Sequence, residues 1–179
     1  MKADDIPQLV YISGGFQLAI YDIEDWLIEY NKRYGIDINP DFQRPLVWSE
    51  NHKIKFMEFL LKGGNVLPIM WNSPGYGGLT PSKDCDLGDE ILLVDGKQRL
   101  NCIIDFMNNK VPVFGGYFKD DIEGIDPHLR RTNVLFRVNR LSTKRELLKW
   151  YLELNEGQIA HTQEELDRIK TMAKNLENK

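Results

Sequence analysis

Residues 91–100 read Ile-Leu-Leu-Val-Asp-Gly-Lys-Gln-Arg-Leu, and no other stretch constrains the fold as much. Four consecutive apolar residues ending at an Asp-Gly turn read as a buried strand. The spacing of Leu100, Ile103, Ile104 and Met107 then puts apolar groups on one face of a helix running to about residue 109.

Further strands are expected at 17–21, 36–38, 66–71 and 134–138, and further helices at 23–34, 50–62, 144–154 and 163–177. Asp22 and Ser49 are candidate caps, and Gly35 and Gly63-Gly64 are stops. Thr143 with Glu146, and Thr162 with Glu165, have capping-box spacing. Such alternation predicts a mixed α/β or α+β domain. Residues 1–16, ending in Ser13-Gly14-Gly15, read as a flexible arm before a single domain over 17–179. Residues 73–89, rich in Gly, Pro, Ser and Asp, form the longest loop and a candidate lid, and 111–127 read as irregular.

A chain of 179 residues, 42% hydrophobic and 28% charged, can bury one core without disulfides or metals. Its 27 acidic against 23 basic residues give a net charge of -4, which excludes a generally basic nucleic-acid coat. Local charge differs. Between His128 and Lys149 stand Arg130, Arg131, Arg137, Arg140, Lys144, Arg145 and Lys149, opposed only by Glu146. The run suits either a nucleic-acid or other polyanion contact or a solvated face. Cys85 and Cys102 make neither a disulfide framework nor a CxxC pair, so a reducing compartment is expected. No secretory signal opens the chain, and no stretch approaches the ~20 apolar residues that span a bilayer. The expectation is a cytoplasmic protein (host cytoplasm if phage-encoded) with no membrane partner.

Three constellations can carry chemistry. At Asp95-Gly96-Lys97-Gln98-Arg99 a helix N-terminus offers backbone N–H groups and its dipole to an anion. Gly96 allows close approach, Lys97 and Arg99 add charge, and Asp95 suits a magnesium ion or a proton. It is not a Walker loop, and its alternative is a plain Asp-Gly turn. Asn39 to Trp48 is an extended segment carrying Gln43 and Arg44. Asn155-Glu156-Gly157 ends a helix either as a ligand-bearing corner or as a glycine cap.

Together these blocks resemble the DUF262 domain, also called the GmrSD N-terminal domain, of the ParB/sulfiredoxin-like superfamily. Pro40 to Trp48 is similar to its P-x-[FY]-Q-R-x-x-V-W pattern, Val94 to Leu100 to [VI]-D-G-Q-Q-R-L, and Leu154 to Glu165 to its last block in outline. Lys97 departs from the usual Gln, and Asn-Glu-Gly-Gln departs from Asn-x-Gly-Gly. The resemblance implies an α+β fold, a mixed sheet flanked by helices, whose turn holds phosphate. It implies a magnesium-assisted NTPase or phosphotransferase using ATP, GTP or CTP, in a phage or antiphage setting. A kinase acting on hydroxymethyl pyrimidine in DNA, or a module that binds nucleotide or DNA without turnover, are its alternatives. A separate nuclease or modification enzyme would be the partner.

Carried over, Gly96, Lys97, Arg99 and Arg44 would hold phosphates. Asp95 would act as metal contact or base, Gln98 would orient the attacking group, Gln43 would close over the nucleotide, and Asn155 would support the metal. No HNH segment is present, and His52, His128 and His161 stand apart, so nuclease activity is not expected of these residues. Arg99→Ala is expected to remove nucleotide binding and leave thermal unfolding nearly unchanged.

Overall fold

The apolar run is a strand next to the edge of a five-stranded mixed sheet. The structure is a computed structural model, and it describes residues 12–88, 90–156 and 163–177. In chain order the elements are β1 (Gly14–Ala19), α1 (Ile23–Tyr34), β2 (Ile36–Asp37), α2 (Glu50–Leu61), β3 (Ile69–Asn72), β4 (Ile91–Asp95) and α3 (Lys97–Met107). Then follow α4 (Ile125–Leu129), β5 (Asn133–Asn139), α5 (Lys144–Glu156) and α6 (Gln163–Glu177). The sheet order is β1-β5-β3-β4-β2. β5 runs parallel to β3 and antiparallel to β1, while β4 runs antiparallel to β3 and parallel to β2. The fold is α+β.

Alternation along the inner strands sorts two cores. Ile69, Trp71, Leu93, Val134 and Phe136 face Ile23 of α1, Met57 and Leu60 of α2, and Ile103 and Phe106 of α3. Val94, on the other face, packs with Phe42, Leu147, Trp150 and Tyr151 beneath α5, and with Ile169 of α6. This is why the run at 91–94 carries no polar residue: both its faces are covered.

Local signals set most boundaries. Gly35 ends α1 at φ +76°, and the Ser49 hydroxyl accepts the His52 N–H at 3.3 Å to cap α2. The Thr143–Glu146 box forms, with the Glu146 carboxylate accepting the Thr143 hydroxyl at 2.9 Å and the Glu146 N–H donating to Thr143 Oγ1 at 3.3 Å. The Thr162–Glu165 pair lies outside the described residues.

Other expectations shift. β1 begins at Gly14 rather than Gln17, because residues 14–16 pair with Phe136, Arg137 and Val138 of β5. β3 begins only after Pro68, which has no N–H to give a neighbour. Asp22 closes a short 3₁₀ turn and makes no capping bond. The irregular stretch before β5 holds α4 and an isolated bridge between Val113 and Tyr117. No helix among the described residues is long and apolar enough to cross a membrane.

Candidate functional site

β4 ends at Asp95 and α3 starts at Lys97, so Gly96 alone must reverse the chain. It does so at φ +98°, where a side chain is strained. A Cβ there would also lie 3.2 Å from Ile69 Cα and 3.2 Å from Arg99 Nη2. No side chain caps α3. Its first helical bond runs from the Leu100 N–H to the Gly96 carbonyl at 2.8 Å, so the N–H groups of residues 97–99 precede it.

Above this terminus lies a small cleft of about 40 Å³. Gln43, Arg44 and Trp48 form one wall, residues 95–99 the base, and Tyr151 and Asn155 of α5 the other wall. The structure therefore gathers Gln43, Arg44, Asp95, Gly96, Lys97, Gln98, Arg99 and Asn155 in one place, although they come from three separated stretches. Trp48 packs against the main core and also lines the cleft, while Tyr151 was not singled out from sequence. The signal for Tyr151 was its place one helical turn before Asn155.

The side chains differ in what they have left to give. Gln98 is buried, and its amide oxygen accepts the N–H groups of Val47 and Trp48 at 3.1 and 3.2 Å. Its NH₂ donates to the Pro45 carbonyl at 2.9 Å. Gln43 Nε2 donates to the Leu93 and Val94 carbonyls, both at 2.8 Å. Both glutamines thus hold the segment over 40–48, which has no strand or helix of its own, against β4 and α3. Arg168 of α6 was not singled out from sequence. It donates to the carbonyls of Asp41 and Phe42 at 3.1 and 3.2 Å, and Lys144 pairs with the Asp41 carboxylate at 2.6 Å.

Arg99 Nη2 donates to Asp95 Oδ2 at 2.7 Å and to the Pro68 carbonyl at 3.0 Å, while its Nε is buried with no partner. Lys97 Nζ donates to the Arg44 carbonyl at 3.0 Å. Burial lowers the Lys97 pKa from the ordinary lysine value, and the Asp37 carboxylate works against that shift. An anion binds the protonated form. Any anion affinity that Lys97 contributes is therefore expected to fall as pH rises through the lowered Lys97 pKa, before a free lysine would titrate. Titration calorimetry with pyrophosphate across this range checks it, with Lys97→Gln losing that pH limb.

Among the described residues Asp95 is the one carboxylate lining the cleft, and Arg99 already engages it. Asn155 donates to the Tyr151 carbonyl at 2.6 Å. Among the described residues no three His, Cys, Asp or Glu side chains group to hold a metal. Cys102 is inert, its thiol pushed up to about 12 by burial. His52 shares a 3.2 Å contact with the cap hydroxyl of Ser49, and His128 bonds the Leu61 carbonyl at 2.7 Å. His161 is outside the described residues.

The basic run does not form one cluster. Arg130 stacks on Tyr21 at 3.6 Å and faces Asp22 at 3.9 Å, at the start of β5. Arg131 is exposed beside it; Arg137 is exposed within β5, and Arg140 and Arg145 are exposed beyond its end. Lys144 is tied to Asp41, and Lys149 lies 3.8 Å from Glu153. The length of β5, roughly 20 Å at ~3.3 Å per residue, separates the two ends.

The sequence model of the GmrSD restriction endonuclease N-terminal domain matches residues 23–179. Comparison with curated proteins and with solved structures gives no match. The matched span contains every residue of the cleft and all of the sheet but β1. The chain belongs to the GmrSD restriction endonuclease N-terminal domain family.

Proposed function

We propose that the cleft binds the phosphates of a nucleoside triphosphate and that the domain hydrolyses it, or transfers its terminal phosphoryl group, within a restriction-type system. One observation carries this reading. The buried, unpartnered Nε of Arg99 stands at an uncapped helix N-terminus whose entry residue has no side chain. A buried guanidinium N–H without a partner costs stability, and a phosphate oxygen would supply that partner.

The α3 N–H groups and Gly96 cradle the phosphates, and Lys97, Arg44 and Arg99 neutralise their charge. Phosphate that draws Arg99 from Asp95 leaves the Asp95 carboxylate able to accept a proton from an attacking water or hydroxyl. Gln43 and Gln98 act through the segment they hold, as positioning residues. Magnesium, when it accompanies the triphosphate, supplies further charge neutralisation.

The test is binding of ATP, GTP and CTP, with phosphate release measured in the presence of magnesium. Asp95→Asn is expected to bind as tightly as the parent or tighter, since Arg99 loses its competing partner. Its turnover should fall by about 10²-fold or more. Unchanged turnover would remove Asp95 as the base, and binding without release for any nucleotide would make the domain a binding module. If no nucleotide binds, the reading fails.

Arg99→Ala is expected to weaken binding more than tenfold, since it removes a charge-assisted contact. The Asp95 pair revises the expectation for its stability. The substitution leaves a mostly buried carboxylate and the Pro68 carbonyl without their donor, at a cost of about 1–3 kcal/mol. Binding and unfolding should both change, and Arg99→Lys separates charge from geometry.

A further inference from the structure

A larger cavity, of about 570 Å³, lies between the end of α2 and α4. Trp48, just before α2, borders the phosphate cleft, and Leu61, the last residue of α2, borders this cavity. The length of that helix, roughly 18 Å at ~1.5 Å per residue, separates the two. Leu61, Phe114, Tyr117, Ile122 and Ile125 give the cavity apolar walls. Phe114 and Tyr117 remain 42% and 56% exposed, so nothing in the fold covers the rings at its rim. Exposed apolar patches of this kind mark contact sites, and aromatic residues are enriched in them.

The loop carrying the two rings is held in place. Val113 and Tyr117 exchange backbone bonds, the Val113 N–H donating at 2.8 Å and the Tyr117 N–H at 2.9 Å. The Phe114 N–H donates to the Glu58 carboxylate of α2 at 2.7 Å, and the Phe118 N–H to Asp121 at 2.9 Å. Phe114 adopts φ +49°, which costs a bulky side chain energy. Burial does not offset that cost, since the ring stays largely in solvent. The far side of the cavity is acidic. Asp121 and Glu123 line it, and Asp120 and Asp126 flank them in sequence with no Lys or Arg between. The nearby cations are engaged, Lys119 with Asp120 at 2.9 Å and Lys62 over the Phe114 ring at 5.3 Å.

We infer that this groove docks a basic amphipathic helix of a second protein, whose apolar stripe covers Phe114, Tyr117 and Ile125 and whose Lys or Arg residues meet Asp121 and Glu123. Charge complementarity selects the partner: an acidic helix would be repelled, and an uncharged one would leave the carboxylates unmatched. The loop N–H groups at 113, 114, 117 and 118 are already bonded, so side chains rather than a strand edge are on offer, which suits a helix in a groove.

The experiment titrates the full chain with a labelled helical peptide of leucine and lysine, its leucines recurring every three or four residues, read by fluorescence anisotropy. Two comparison peptides have glutamate for lysine, or the same composition scrambled so that no stripe forms. The leucine–lysine peptide is expected to saturate and to bind at least tenfold tighter than either. Tyr117→Ala should weaken it about tenfold. Glu123→Lys should weaken it several-fold and flatten its salt dependence. Phe114→Gly should also weaken it yet unfold no earlier than the parent, because glycine accepts φ +49° without strain. Saturating pyrophosphate should not compete, which keeps this groove apart from the phosphate cleft. Equal binding of the scrambled or glutamate peptide, unchanged affinity in Tyr117→Ala, competition by pyrophosphate, or no saturable binding each overturns the inference. So does a dimer of the chain in sedimentation that Tyr117→Ala abolishes, since a second copy would then cover the groove.

Discussion

Gly96→Val is expected to unfold at clearly lower denaturant than the parent and to lose nucleotide binding altogether. The backbone strain of a side chain at φ +98° contributes about 1–3 kcal/mol. The collision adds to it, because the new Cβ meets Ile69 Cα, a backbone atom of the central strand that cannot move alone. The second contact, 3.2 Å to Arg99 Nη2, pushes the guanidinium off its seat. Gly96→Ala should therefore reduce pyrophosphate affinity even where it remains folded. Gly115→Ala is the control, since Gly115 has φ +91° but nothing within 4 Å of a Cβ. It should show strain alone, with binding intact by titration calorimetry. Equal binding in Gly96→Ala and the parent would remove the turn from the phosphate site.

Gln98→Leu carries the second large effect. Leucine keeps most of the buried volume and removes all three bonds to Pro45, Val47 and Trp48. At about 0.5–1.5 kcal/mol per bond the loss is roughly 2–4 kcal/mol. The segment over 40–48 is then free to lift, carrying Arg44 with it, and nucleotide affinity should fall although leucine touches no ligand. Gln98→Glu separates the two effects. Its carboxylate still accepts from Val47 and Trp48 but opposes the Pro45 carbonyl and adds negative charge beside the phosphates. It should retain more stability than the leucine variant and still bind poorly. Thermal unfolding with pyrophosphate titration reads both quantities. A leucine variant with parental affinity would show that the segment does not depend on Gln98.

How far the site could be read in the sequence varied with the range of the interaction. The Asp-Gly turn, the helix that follows it and the glycine stop after α1 depend on neighbours within a turn or two. The same is true of the Thr143–Glu146 box. The blocks at 40–48 and 94–100 could be recognised by their resemblance to the family's patterns. Their division of labour could not. Gln98 read as a group that orients an attacker, but its amide is engaged by backbone 50 to 53 residues back along the chain. Arg168 drew no attention, because an arginine on an amphipathic helix usually faces water. Its partners lie at Asp41 and Phe42, 127 and 126 residues away. The basic run is spread out for a related reason, since β5 sets Arg130 and Arg131 at one end and Arg140 and the start of α5 at the other.

The sequence by itself determined that an apolar strand passes through a glycine into a cationic helix start, because turn geometry and helix polarity follow from a few adjacent residues. It also determined the family, through blocks whose order and spacing survive without knowledge of their packing. Only the tertiary structure decided which donors remain for a ligand. That depends on how many of a side chain's hydrogen bonds are already used by distant backbone, and chain folding alone brings that backbone within 3 Å. Arg99 and Gln98, neighbours in sequence, part on this point: one buries an N–H with no partner, and the other has given its amide to the fold.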